Sequence, residues 1–515
     1  MWFGDLVTMD WFDDVWTKEV FANYFAARIV EPLFPEINHT QNKLKTFTAA
    51  SLSEDRTMGT NAIRQPLDNL RNAGLIYGQI IYNKAPVMME KLVDKMGEAN
   101  FRSGIQEYLK TYSYGNATWD DLIRILDSKT TEDLAAFSDV WVNRKGMPTL
   151  TFRTDGQELE IRQHDPYNRG LLWPQRFAVT LCGERDSVIR VNMTDTLFRM
   201  QLPFVPSRVL PNTDGRGYGV FVPDEPALHW LAAHWWEIED DTARQSLLMV
   251  LYENYLAKHI SADDWVNSLI TGLPAEKNAL VASTASGYLA NVMREIAPAN
   301  RAEVEARIYT MTQNHPLPSC RIQLMRLFMQ NAISEPMVKK LYILWQQQSD
   351  KHLNRQDYTT LAYELAIRMP LESEQILRTQ RARIDDPDRL RQFDFISRAA
   401  VSDTARLDTL FNSLLAAENR RIEPWTTAVI RYLNHPLRED QSVKYIRPGL
   451  EVLEEVQRTG DIFFPKNWAA ALLGNHLGSS AYEEVVRFLN ERPDYSPLLK
   501  NKILQVAYPL YRANN

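Results

Sequence analysis

Among the side chains of the first hundred residues that could do chemistry are the carboxylate of Glu19 and the phenol of Tyr82. From about Asp10 to Val30, apolar or small residues recur at Phe12, Val15, Ala22 and Ala26, a spacing that predicts a helix with these on one face. Glu19 falls on that face. A carboxylate turned toward a core is costly unless a cation, backbone donors or a metal ion meets it, and the spacing leaves all three partners open. Tyr82 lies in Gly74-Leu-Ile-Tyr77-Gly-Gln-Ile-Ile-Tyr82-Asn-Lys84-Ala85-Pro86. A tyrosine there can bury its ring and leave its hydroxyl wet. It can also donate to developing negative charge, where one aimed donor is worth about 2.7–4 kcal/mol. By pattern alone Tyr77 fits as well as Tyr82.

The letters around Glu19 narrow the choice. Trp2-Phe3-Gly4-Asp5-Leu6-Val7-Thr8, then Trp11, Trp16, Glu19, Phe21 and Ala22, resemble the aminopeptidase N family of zinc metallopeptidases, of the gluzincin type. In that family an HExxH helix precedes W-F-G-[ND]-L-V-T, and a second helix ends N-E-G-F-A. The resemblance continues through Tyr82-Asn-Lys84-Ala85, Met96-Gly-Glu-Ala-Asn-Phe101, Tyr114-Gly-Asn-Ala117 and Trp141-Val-Asn-Arg-Lys-Gly146-Met-Pro148. It implies that Glu19 is the third zinc ligand and that Tyr82, favoured over Tyr77 by Lys84 and Ala85, hydrogen-bonds the tetrahedral oxyanion. Lys18 and Val20 replace the family's Asn and Gly beside the ligand, and Pro86 its usual small residue, so local substrate contacts are expected to differ. Asp14 reads as a solvated helix charge or a support for the ligand.

The chemistry behind the motif is explicit. Two imidazoles at i and i+4 hold Zn²⁺, the Glu between them acts as base, and an anionic ligand comes from another element. In the family that ligand lies eighteen residues beyond the second His, and eighteen residues precede Glu19 here. The resemblance therefore implies a zinc aminopeptidase acting on peptide substrates. The expectation is a fragment that starts just after HExxH, binds zinc poorly and is inactive alone, with the apolar face of the Glu19 helix uncovered. The alternative is a non-catalytic protein-interaction scaffold derived from the same family.

No second site competes. His229 and His234 are five apart and point to different sides of a helix, while His234 and Glu237 could share a ligand but sit among Trp235 and Trp236. The other histidines are isolated, and Cys182 and Cys320 read as buried free thiols. No P-loop, Rossmann or G-x-S-x-G motif occurs. Asp240-Asp241 and Asp385-Asp386 read as helix N-terminal charges. A net charge of -7 gives no basic stripe for nucleic acid, and no apolar run is long enough to span a membrane.

The elements that must position Glu19 and Tyr82 follow from periodicity. Residues 1–146 read as mostly helical, and the resemblance implies that they are the helical part of a thermolysin-like catalytic domain. From Thr149 the period becomes two, with Leu150 and Phe152, a turn at Asp155-Gly156, then Leu159 and Ile161. Residues 147–224 are thus expected to form a small antiparallel β-sandwich. Residues 225–515 read as a HEAT-like helical array, with helices expected at Arg321–Ala332, Pro336–Gln348, Tyr358–Met369, Ala405–Leu415, Pro424–Leu433, Trp468–His476, Tyr482–Leu489 and Pro497–Tyr511. The chain is read as multidomain and mainly α.

Overall fold

A computed structural model describes residues 2–515. The chain is mainly helical and divides into two compact units, the first running to Ser268 and the second from Leu269 to Asn515. Among the described residues no helix is long and apolar enough to cross a membrane.

The first unit opens on β1 (Val7–Met9), paired in parallel with β2 (Gly115–Ala117). The helix expected from Asp10 begins only at Trp16 and ends at Val30, after a 3₁₀ turn at Phe12–Asp14. Side chains working at long range hold that turn out of the helix. Trp11 Nε1 donates to the Leu67 carbonyl at 2.7 Å, and the Asp14 carboxylate accepts from the Trp119 amide at 3.0 Å. The face is also corrected. Trp16, Val20, Phe21 and Tyr24 are buried, while Ala22 and Ala26 are exposed. Burying an aromatic ring removes far more apolar area from water than burying a methyl, so the rings take the core and the alanines turn outward.

Further along, a π-helical turn at Ile80–Lys84 runs without a break into the helix Ala85–Met96, whose first turn holds Pro86. Gly97, at φ 87°, closes that helix in a conformation other residues avoid. Helices Glu98–Thr111, Trp119–Asp127 and Leu134–Trp141 follow, the second opened by a reciprocal capping box between Thr118 and Asp121. Gly115 begins β2.

Seven strands then form two sheets. β3 (Thr149–Asp155), β4 (Glu158–His164), β7 (Leu197–Gln201) and β9 (Val220–Val222) make one, in the order β7-β4-β3-β9. β5 (Gln175–Cys182), β6 (Ser187–Met193) and β8 (Arg208–Leu210) make the other, in the order β6-β5-β8. Leu150, Phe152, Leu159 and Ile161 of the first sheet share one buried cluster with Phe177, Val179, Leu181 and Val191 of the second. All pairings are antiparallel except β3 with β9, which is parallel and sets Leu150 opposite Phe221. Helices Glu225–His234 and Asp241–Leu256 follow in this unit, the second adding Val250 to the same cluster.

The second unit is helical throughout. Six of the expected helices recur with ends displaced by a few residues, from Pro318–Asn331 to Ser479–Asn490. The helix expected at Trp468–His476 starts four residues earlier and ends at Leu473, while Pro497–Tyr511 divides into Pro497–Val506 and Tyr508–Asn514, where Pro509 lacks the amide a continuous helix needs. Arginine forks fasten its helices to one another. Arg368 donates to the Met329 and Gln330 carbonyls, each at 2.7 Å, and Arg383 to those of Trp345 and Gln346 at 2.9 and 3.1 Å. Arg420 reaches Leu414 and Leu415 at 3.1 and 2.9 Å, and Arg438 reaches Ala399 and Val401, each at 2.6 Å. Helix C-termini leave carbonyls without partners, and these guanidinium groups supply donors and a favourable charge there.

Candidate functional site

Glu19 projects from the first turn of the Trp16–Val30 helix, on the side bearing exposed Ala22 and Ala26, and its side chain is 26% exposed. Its charged neighbour is Lys18, 3.8 Å away. Facing it across a helix contact is the π-helical turn that carries Tyr82. Asn23, one turn after Glu19, donates to the Tyr82 carbonyl at 3.1 Å and ties the two elements together. The Tyr77 and Tyr82 rings stack with centroids 5.8 Å apart. Burial, with the nearby Glu19 charge added, pushes the Tyr82 phenol up to about 12, and the same two causes raise Tyr77. Both phenols therefore keep their protons at neutral pH and can act as hydrogen-bond donors beside a carboxylate.

The position of Tyr82 depends on its second neighbour. Lys84 is fully buried and its ammonium lies 2.8 Å from the Asp55 carboxylate, itself fully buried. Lys84 also donates to the Gly146 carbonyl at 2.8 Å, while Asp55 accepts from Thr60 at 2.7 Å and Tyr218 at 3.1 Å. The Lys84 of the Tyr82 segment and the Gly146 of the Trp141–Pro148 segment are thus one bonded pair. A π turn puts one extra residue into a helical turn and is frequent at functional sites. Here the buried lysine pins its C-terminal end.

Asp14 is not a solvated charge. It is 3% exposed, lies 2.8 Å from Arg64 Nε and accepts from the first amide of the Trp119–Asp127 helix. Burial raises its pKa despite those partners. Its role is to fix the approach to the Glu19 helix. His229 and His234 each bond a carbonyl four residues back through Nδ1, and the His234 ring stacks on Trp230. Asp240 and Asp386 cap helices through Ala243 and Arg389 amides, as expected of charges at helix starts. Cys182 and Cys320 are buried free thiols.

Residues 1–141 match the model of the peptidase family M1 domain. Over that stretch the chain is similar to peptidase family M1. Among curated relatives, the chain is 30% identical to endoplasmic reticulum aminopeptidase 2 of Homo sapiens over 259 residues, covering 42% of this chain and 27% of that protein. It is 29% identical to tricorn protease-interacting factor F2 of Thermoplasma volcanium over 169 residues, 33% of this chain and 22% of that one. It is 27% identical to aminopeptidase N of Lactococcus lactis subsp. cremoris over 236 residues, 45% and 27% of the two. The chain spans about a quarter of the length of these relatives.

M1 peptidases are zinc-dependent, and the donors around Glu19 decide whether such an ion fits here. Among the described residues no three His, Cys, Asp or Glu side chains converge as a metal site, and the 515 residues contain no HExxH. A catalytic zinc site needs three protein ligands and an open position; one carboxylate does not fit it. No reaction step is therefore assigned to a metal on these residues. Sequence reasoning missed the Lys84–Asp55–Tyr218 cluster because its members are far apart in the chain. The signal was the retention of Lys84 beside Tyr82.

Proposed function

We propose that this chain carries part of the apparatus of an M1 zinc aminopeptidase, which removes N-terminal residues from peptides. In this reading Glu19 is the carboxylate ligand of a centre completed by imidazoles that the sequence lacks, and Tyr82 is the donor to the tetrahedral oxyanion. The observation that carries it is the pairing of Glu19 with a protonated Tyr82 on adjacent elements, inside the segment matched to the family. We group residues 1–146 as the peptidase part, 147–224 as a β-sandwich spacer and 225–515 as a HEAT-like array. The 515-residue polypeptide alone is expected to be inactive.

Two measurements test this. The purified 515-residue chain, given an aminoacyl-arylamide and zinc, should release no arylamine; chelator-sensitive release would overturn the claim of inactivity. The native product, recovered from its source with an antibody against this sequence, should hydrolyse the same compound and exceed the mass of the 515 residues. A native product of that mass, without hydrolysis, would replace the enzyme reading with an interaction scaffold.

A further inference from the structure

The second unit holds a pocket lined by basic side chains that form no ion pair among the described residues. It has a volume of about 430 Å³ and is lined by Arg321, Lys340, Lys351, His352 and Tyr309 among others. That volume lies in the range of about 300–1,000 Å³ common for small-molecule sites. Gln348, in the left-handed conformation at φ 47°, ends the helix Glu335–Gln347 and turns the chain so that Ser349–His352 form one wall.

Three basic side chains and one carboxylate line the pocket. The carboxylate, Asp350, already accepts from the His352 amide at 2.8 Å. Arg321, Lys340 and Lys351 form no ion pair among the described residues, whereas the adjacent Lys339 pairs with Glu335 at 2.6 Å. Arg321 Nε is buried with no hydrogen-bond partner, which is unfavourable for a polar donor. The Lys340 ammonium is held 4.8 Å from the centroid of the Tyr309 ring, which fixes its position without neutralising it. Most arginines of this unit cap carbonyls or pair with acids; Arg321 does neither. Like charges gathered in one pocket repel, and a bound anion relieves that repulsion while accepting from their donors.

We propose that this pocket binds a small multivalent anion, with the Arg321 fork and the Lys340 and Lys351 ammoniums as its donors. Phosphoryl groups and polycarboxylates share that chemistry. The proposal is independent of the peptidase reading, since it rests on the second unit alone.

Calorimetric titration of the 515-residue chain at low ionic strength tests it, with inorganic pyrophosphate in one arm and citrate in the other. Binding of at least one probe is expected, weakened about tenfold or more in Lys340→Gln/Lys351→Gln. Lys339→Gln, on the same helix but ion-paired, should bind like the unmodified chain. Both replaced lysines are exposed and unpaired, so the variant should melt where the parent does. Tighter pyrophosphate assigns the site to phosphoryl groups, and tighter citrate to polycarboxylates. Absence of binding for both probes at millimolar concentration would overturn the proposal. So would equal affinity of the double variant and the parent.

Discussion

Replacing Lys84 with Met isolates what holds Tyr82 in place. The methionine matches the stem of the lysine in length and removes only the ammonium, so packing in the fully buried site is nearly conserved. Asp55 is then left buried without its cation. Breaking a buried pair from one side costs about 3–5 kcal/mol. Thr60 and Tyr218 still donate to Asp55, which favours the lower end, while the Gly146 carbonyl loses its donor at about 1 kcal/mol. A loss of about 4 kcal/mol is expected. In a unit of this size each kcal/mol is worth about 2–4 °C, so Tm should fall by about 10 °C in a thermal melt followed by circular dichroism. Lys84→Met/Asp55→Leu, which leaves no orphaned charge, should recover part of the loss. A Lys84→Met protein within about 1 kcal/mol of the parent would refute the reasoning, because a lysine buried this deeply cannot be removed cheaply if the pair is as described.

Glu19→Gln should change stability of the isolated chain by less than about 1 kcal/mol, since the part-exposed Lys18–Glu19 pair is worth little; a larger loss in urea unfolding would mark Glu19 as a structural group. Gly146→Ala should cost about 1–3 kcal/mol, because φ is 91° and the new Cβ would stand 2.8 Å from the Tyr167 ring. Arg368→Lys should destabilise the second unit, as an ammonium cannot span the Met329 and Gln330 carbonyls together; urea melts would show it. His476 gives the pH dependence. Burial pushes its pKa from 6.5 down to about 4, so the folded form binds the proton less readily than the unfolded one. Its contribution is complete above about pH 6.5 and is lost as pH falls toward 4, amounting to about 3 kcal/mol. His476→Gln should flatten that part of the Tm profile.

What the sequence made legible was local. The alternation at Leu150, Phe152, Leu159 and Ile161 gave the β3–β4 hairpin because period and turn lie within a dozen residues. The parallel β3–β9 pair was not legible, since β9 follows a loop across the other sheet. The Glu19 helix was recognised, but its start and buried face were misread. Counting small residues as core overlooked the competing area of Trp16, Phe21 and Tyr24. Asp14 was misjudged because its partners, Arg64 and the Trp119 amide, lie 50 and 105 positions away. Glu19 and Tyr82 were singled out by resemblance; periodicity alone would not have preferred Tyr82 to Tyr77. The pocket of Arg321, Lys340 and Lys351 left no motif, since its members come from separate helices and a turn.

The arginine forks of the second unit carry a consequence for how its sequence can drift. Each of these arginines grips two carbonyls near a helix end with a group that stays charged across the physiological range. Exchange for lysine would preserve charge and length on paper and still free half the grip. Substitution tables would therefore misjudge these joints, scoring as harmless the replacements that loosen one helix from the next.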